Sequence, residues 1–344
     1  MTTLRCLLLS ALLVASLGVP AGAVEMSEMV IERDPTAVGI PFSRYFTTDS
    51  LGRRITFYVS NPPATTKRLP VVLLIQGSGC QSVWGKKPDG KINGGFQNIL
   101  LEVCHDQARV VVVEKPGVKF LDDPKRPGTA EGASKEFLEE QTLPRWAEAN
   151  VAALKAIHSL PEVDSSRTLV MGHSEGGIVA ARVAAEYPAV THVASLAGGG
   201  PSQLFDLANL ARNGKFGDPK LDADARVKGV LNEWAKIQAD PTSTTKCVWS
   251  HPYRRWSSFL SSSTMSELLR SKAKVYLAHG TEDTSSSVTS MDVAHAELLA
   301  HGRDVTSERI EGVDHGFRKK GEKGYPTGMK ELFGRVVACF LACH

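Results

Sequence analysis

What this sequence lacks most plainly is charge of one sign: 40 basic residues stand against 37 acidic ones, a formal net charge of +3 over 344 residues. A chain that neutralises a phosphate backbone needs a clustered excess of lysine and arginine, so nucleic acid is not an expected partner. After residue 23 no apolar run approaches the ~20 residues that span a bilayer, and stable membrane insertion is not expected. Proline-rich tracts, long charge runs and internal repeats are missing too, which argues against a disordered chain or a solenoid. No Cys-x-x-Cys pair or histidine-rich segment supplies metal-ligand spacing, and no metal or organic cofactor is implied.

What is present begins with a leader. Met1-Thr2-Thr3-Leu4-Arg5 carries one positive charge, residues 6–19 are an apolar run, and Pro20-Ala21-Gly22-Ala23 has the small-residue pattern of a cleavage site. Residues 1–23 therefore read as a signal peptide, with the mature protein periplasmic or secreted. Cysteine is scarce: beyond Cys6 there are Cys80, Cys104, Cys247, Cys339 and Cys343. An oxidising compartment permits disulfides, and the expected pairs are Cys80 with Cys104 and Cys339 with Cys343. Buried free thiols are the alternative, and an odd count leaves at least one cysteine unpaired.

The hydrophobic pattern alternates between two periods. Residues 54–59 alternate as a strand does, and residues 69–75 and 110–113 are continuous apolar, β-branched runs of the kind buried on both faces of a parallel sheet. Helical spacing follows at 96–103 and 146–160. A strand at 168–171, a helix at 178–187 and a strand at 190–196 come next. Alternation then fails until residue 273, and it resumes with strands at 274–278 and 305–310 and helices at 288–299 and 328–341. Strands alternating with helices predict an α/β fold, a mostly parallel central sheet with helices on both faces. The interruption predicts a helical cap over the sheet's carboxyl edge, where ligands bind in such folds. The expected organisation is residues 24–198 and 273–344 as the two parts of the core, with residues 199–272 as the cap.

Gly172-His173-Ser174-Glu175-Gly176-Gly177 falls between the strand ending near 171 and the helix from 178. A serine on so tight a turn is crowded by its neighbours, and only hydrogen fits at the flanking positions. The turn exposes the hydroxyl at a helix N-terminus, whose free N–H groups favour a developing anion. Here the chain resembles the α/β-hydrolase superfamily, in a serine esterase or prolyl-oligopeptidase-like branch, and the resemblance implies acyl-transfer chemistry with Ser174 as nucleophile.

That superfamily orders its residues nucleophile, acid, histidine. The resemblance makes Asp283, in His279-Gly280-Thr281-Glu282-Asp283 after the 274–278 strand, the acid, with Glu282 as fallback. It makes His315, in the loop after the 305–310 strand, the general base. His173 and His279 read as packed or supporting residues. The oxyanion hole implied by the family combines the backbone N–H of Glu175 with one from Gln76-Gly77-Ser78-Gly79-Cys80. Family members often carry His-Gly at that point where this chain has Gln-Gly, which leaves the donor open between Ser78 and Gly79. Gly77-Ser78-Gly79 lacks the third glycine of a dinucleotide loop, and the segment from Gly79 to Lys86 has the wrong spacing for a phosphate loop. Lys115 reads as a surface lysine, with a position facing the site as the alternative. Trp234, Trp249, Tyr253 and Trp256 of the cap either line the substrate pocket or fill the cap's own core.

The expected substrate is a small ester, with a short peptide or thioester as alternative, cleaved through an acyl-enzyme without cofactor or metal. A non-catalytic binding protein of the same fold is the rival from another class, and it is disfavoured because all three triad residues are present.

Overall fold

The computed structural model describes residues 30–32, 40–65, 67–323 and 327–342. The expected signal peptide and Cys343 lie outside the described residues. Nine strands share one sheet: β1 (Val30–Glu32), β2 (Phe42–Thr48), β3 (Arg54–Ser60), β4 (Leu69–Ile75), β5 (Arg109–Val113), β6 (Val163–His173), β7 (His192–Leu196), β8 (Lys274–Gly280) and β9 (Val305–Ile310). Their spatial order is β1-β2-β3-β5-β4-β6-β7-β8-β9. The six strands from β5 to β9 pair in parallel, and β1 to β3 extend one edge in antiparallel fashion.

The helices are α1 (Phe96–Cys104), α2 (Lys135–Glu140), α3 (Leu143–His158), α4 (Glu175–Glu186), α5 (Gln203–Arg212), α6 (Ala223–Ala239), α7 (Tyr253–Phe259), α8 (Thr264–Arg270), α9 (Val288–Ala300) and α10 (Thr327–Ala342). Side chains alternate across a strand, and β4 shows why its run is apolar throughout. Val71, Leu73 and Ile75 enter a core shared with α3, α4 and α9, whereas Val72 and Leu74 enter one shared with α1 and α10. With helices on both faces, every position of β4 is buried. The mostly parallel α/β sheet expected from the hydrophobic pattern is therefore present, and β6, the strand leading to Ser174, sits near its middle.

The segment between β7 and β8 carries α5 to α8. It has a small core of its own, with Leu207, Val230, Ile237 and Leu260 around Trp256, and Trp234, Trp249 and Tyr253 packed against them. Trp249 meets Phe216 and Trp256 edge-on at centroid distances of 5.4 and 5.5 Å. Trp256 Nε1 donates to the Val248 carbonyl at 2.7 Å. The aromatic residues thus hold this segment together. Helix α8 differs, because Leu268 joins the core beneath the main sheet.

The expected Cys80–Cys104 disulfide is not formed, for both are buried free thiols. The reason is directional. Helix α1 starts at the carboxyl edge of the sheet, where Phe96 packs on His173. At 1.5 Å per residue it carries Cys104 about 12 Å away, into the apolar core under β5. Cys80 stays at the edge and turns toward Glu131. Burial raises the Cys104 thiol pKa to about 12. Cys247 is a free, exposed thiol.

Candidate active site

Parallel strands deliver their carboxyl ends to one edge, and four loops converge there: residues 76–80 after β4, the turn after β6, residues 281–287 after β8 and residues 311–317 after β9. Ser174 occupies the turn between β6 and α4 with φ 58° and ψ −125°. That is left-handed space in which a residue with a side chain is strained by roughly 1–3 kcal/mol, and such strain persists only where the surroundings enforce it. They do so here: a Cβ at Gly172 would overlap the Gly176 carbonyl, and one at Gly176 would overlap the Ile75 carbonyl. The Ser174 amide donates to Leu196 O at 2.8 Å, which ties the turn to β7. The glycines flanking the serine are therefore a packing requirement of the turn.

Asp283 and His315 meet. His315 Nδ1 lies 2.7 Å from Asp283 Oδ2, and His279 Nε2 lies 3.0 Å from the same oxygen. The amides of Ser285 and Ser286 donate to Oδ1 at 2.7 and 3.0 Å, and Ser286 Oγ stands 2.9 Å from Oδ2. Burial of Asp283 would raise its pKa, but hydrogen bonds from His279 and His315, the charge of His315 and the Ser286 amide outweigh it, and the pKa falls well below the usual carboxylate range. An ionised carboxylate only accepts, so His315 donates through Nδ1 and its Nε2 is left with a lone pair. Gly280 permits this meeting of loops, since a Cβ there would overlap the Val313 carbonyl and crowd that of Asp314. Glu282, the fallback acid, is exposed and points elsewhere.

The residue before Ser174 holds the backbone of His315. His173 Nε2 donates to the His315 carbonyl at 2.6 Å, with the two rings 4.8 Å apart. Burial, and next the charge of His315, lower the His173 pKa to about 3, so it stays a neutral donor. Phe317, buried beneath the same loop, packs on His173 at 6.0 Å. His315 is thus held against the residue adjoining Ser174. No hydrogen bond joins Ser174 Oγ to His315 Nε2 among the described residues, the open geometry common in sites without substrate.

The loop after β4 supplies the remaining wall. A Cβ on Gly77 would lie 3.5 Å from Ser174 Cβ, so Gly77 adjoins Ser174. Ser78 O accepts from Gln81 Nε2 at 2.9 Å, and the Cys80 amide donates to Thr129 O at 3.3 Å. A cleft of about 360 Å³ opens beside this loop, lined by Gln76, Gly77, Gln81, Trp84, Phe96 and Gln97.

A family model described as Esterase matches residues 48–327, most of the chain. The chain belongs to the Esterase family. Solved structures agree in fold. Acetyl xylan esterase 1 from Thermoanaerobacterium sp. is 14% identical with a TM-score of 0.55, over 90% of this chain and 88% of that one. An acetyl xylan esterase from Paenibacillus sp. is 17% identical with a TM-score of 0.56, over 91% and 88%. An acylaminoacyl peptidase from Pyrococcus horikoshii is 13% identical with a TM-score of 0.56, over 92% of this chain but only 42% of the peptidase. At these identities the likeness is one of fold, and the fold this member of the Esterase family shares with them is the α/β-hydrolase fold. Among curated proteins no match to the chain is found.

One feature of this esterase-family site was not expected from the sequence. Lys115, read there as a surface residue, is 2% exposed, and so are Glu175 and Arg255. Lys115 Nζ lies 2.9 Å from Glu175 Oε1, and Arg255 Nη2 lies 2.7 Å from Glu175 Oε2. Burial would raise the Glu175 pKa, but the charges of Lys115 and Arg255 overcome this and hold it at about 2. The carboxylate is ionised, and Lys115 pairs with it as an ammonium. Arg255 arrives from α7, its guanidinium 4.1 Å from the centre of the Trp256 ring and 4.6 Å from that of Phe259. The one available hint was the place of Lys115 at the end of a fully buried strand.

Proposed function

We propose that the protein hydrolyses small carboxylic esters through an acyl-enzyme on Ser174. The observation that carries this reading is the 2.7 Å contact between Asp283 and His315, whose backbone is held by the residue adjoining Ser174. An alcohol needs a base to become a nucleophile, and a base needs a partner that fixes its tautomer and stabilises its charged form. Ser174 Oγ attacks the ester carbonyl and passes its proton to His315 Nε2. The resulting imidazolium is stabilised by Asp283 and returns the proton to the departing alcohol. Water activated by His315 then releases the acid.

The charge that develops on the carbonyl oxygen is met by two amides, those of Glu175 and Ser78. Ser78 is preferred to Gly79 for a geometric reason. A trans peptide directs its C=O and N–H oppositely, and the Gly77 carbonyl is engaged by Lys115 at 2.6 Å. The Ser78 N–H of that same peptide therefore faces away from Lys115, and Ser78 is the donor proposed here. The adjoining cleft has Asp122 and Asp123 as the ionisable side chains of its lining, so an uncharged acyl or alcohol group suits it better than an anion.

Labelling with a fluorophosphonate, alongside turnover of p-nitrophenyl esters of increasing chain length and of aminoacyl p-nitroanilides, tests the reading. The expected result is label on Ser174 that Ser174→Ala abolishes, with ester turnover well above anilide turnover. Folded wild-type protein that neither labels nor turns over any ester would refute it, and faster anilide turnover would move the substrate to amides. Residues 1–23 further support an exported enzyme, for which a mature N-terminus at Val24 is the expected finding on sequencing.

A further inference from the structure

The ammonium of Lys115 has three N–H bonds to give and meets three acceptors: Gly77 O at 2.6 Å, Gly79 O at 3.1 Å and Glu175 Oε1 at 2.9 Å. Its donor capacity is filled. A lysine whose whole purpose was to neutralise Glu175 would need the carboxylate contact alone, yet two of its three bonds go to the loop beside Ser174. That loop needs holding. With glycine at 77 and at 79, the peptide units on either side of Ser78 rotate at little steric cost, and a rotated Gly77–Ser78 peptide would present a carbonyl oxygen where an oxyanion must be bound. The side chains of Gln81 and Lys115 engage three successive carbonyls of this stretch, those of Gly77, Ser78 and Gly79.

We propose that Lys115 is a positioning residue for the oxyanion hole: fixed by Glu175, it holds the Gly77 and Gly79 carbonyls back and so aims the Ser78 N–H at the developing negative charge. The inference rests on the reading of Ser174 as nucleophile. It gives Glu175 two functions, since its amide is the other donor while its carboxylate anchors the lysine that orients the first. Arg255 engages the second carboxylate oxygen and touches neither loop carbonyl, so it serves as an internal control. Removing either cation disturbs the same buried carboxylate, but removing Lys115 alone frees the loop.

The experiment compares Lys115→Met, Arg255→Met and the double variant Lys115→Met with Glu175→Gln. In Lys115→Met, kcat is expected to fall about 10²-fold, the scale for loss of one oxyanion donor, with KM within about threefold. Affinity for an alkyl boronate, which mimics the tetrahedral adduct, falls by a similar factor. A crystal structure of the variant shows the Gly77–Ser78 peptide rotated. Arg255→Met loses less than about tenfold in kcat. The double variant leaves Arg255 as a lone buried cation and loses stability without regaining kcat; adding Arg255→Met removes that last buried charge, and the triple variant, expected to recover stability but not kcat, carries the test if Lys115→Met fails to fold. Equal kcat losses in the two single variants, recovery of kcat in the double or triple variant, or an unmoved peptide after loss of Lys115 would each overturn the proposal. Failure of wild-type labelling strikes the nucleophile reading, whereas an unmoved peptide strikes this inference whatever the turnover.

Discussion

Two carboxylates adjoin the site, both 2% exposed, and they are kept ionised by different means. Asp283 is surrounded by two backbone amides, a serine hydroxyl and two imidazoles. Glu175 is gripped by an ammonium and a guanidinium. An imidazole gains and loses a proton near neutral pH, and a guanidinium never does. On the proposed mechanism the Asp283 side accommodates a change of charge during a turnover, and the Glu175 side stays unaltered through it. A third buried carboxylate completes the contrast. Glu114 accepts from Ser82 Oγ at 2.6 Å and from the Val83 amide at 3.1 Å and has no salt bridge among the described residues. Burial raises its pKa to about 8 in spite of those hydrogen bonds. Without a positive partner, burial wins and the carboxyl pKa rises, as it does to about 6 at buried Asp206.

The sharpest way to break the comparison is Asp283→Asn. It keeps the shape but offers an amide where only acceptors belong, so His315 is held in the wrong tautomer and kcat should fall roughly 10³–10⁴-fold while the melting temperature moves little. Glu175→Gln should behave in the opposite sense. Two buried cations lose their partner, and removing one member of a buried ion pair costs about 3–5 kcal/mol, read as a lowered melting temperature, with a smaller loss of kcat than Asp283→Asn. If the two variants exchanged these signatures, the division between a working carboxylate and a structural one would be wrong.

Glu114 predicts a pH dependence of stability. Its folded pKa is about 8 against an ordinary value of 4.5, so the folded state binds the proton more tightly than the unfolded chain does. That contribution is complete below the ordinary value and is lost as pH rises through 8. Calorimetry between pH 5 and pH 9 should show a falling melting temperature, and Glu114→Gln should flatten the decline. The smallest effect is expected from Ser286→Ala, which removes one of several contacts to Asp283. At about 1 kcal/mol for such a bond, kcat drops less than tenfold, measured with the same ester at saturation.

The parts of the molecule that repeat a period were legible from the residues. The limits of β4 fall where the apolar pattern ends, because a strand buried on both faces writes its length directly into its composition. Strand β2 escaped notice: Phe42–Thr48 mixes serine, arginine and threonine with its aromatics, as an antiparallel strand outside the parallel core can. Ser174, Asp283 and His315 were proposed because each follows a strand in a recognisable chain order, and the structure brings Asp283 and His315 together. Lys115 was not. Its burial depends on Glu175, 60 residues away, and no local pattern encodes a partnership across such a separation. The Cys80–Cys104 pairing failed for the converse reason, since closeness along the chain said nothing of the direction in which α1 carries Cys104.

Arg255 also bears on how freely this protein can be rebuilt. Segments inserted between two strands of a sheet are the natural units for exchange between relatives, and the one between β7 and β8 has its own small core, as a transplantable module should. Yet it reaches down through α7 to supply half the countercharge of the residue that follows Ser174. A designer who swapped or shortened it would have to bring a cation to the same depth or convert Glu175 as well.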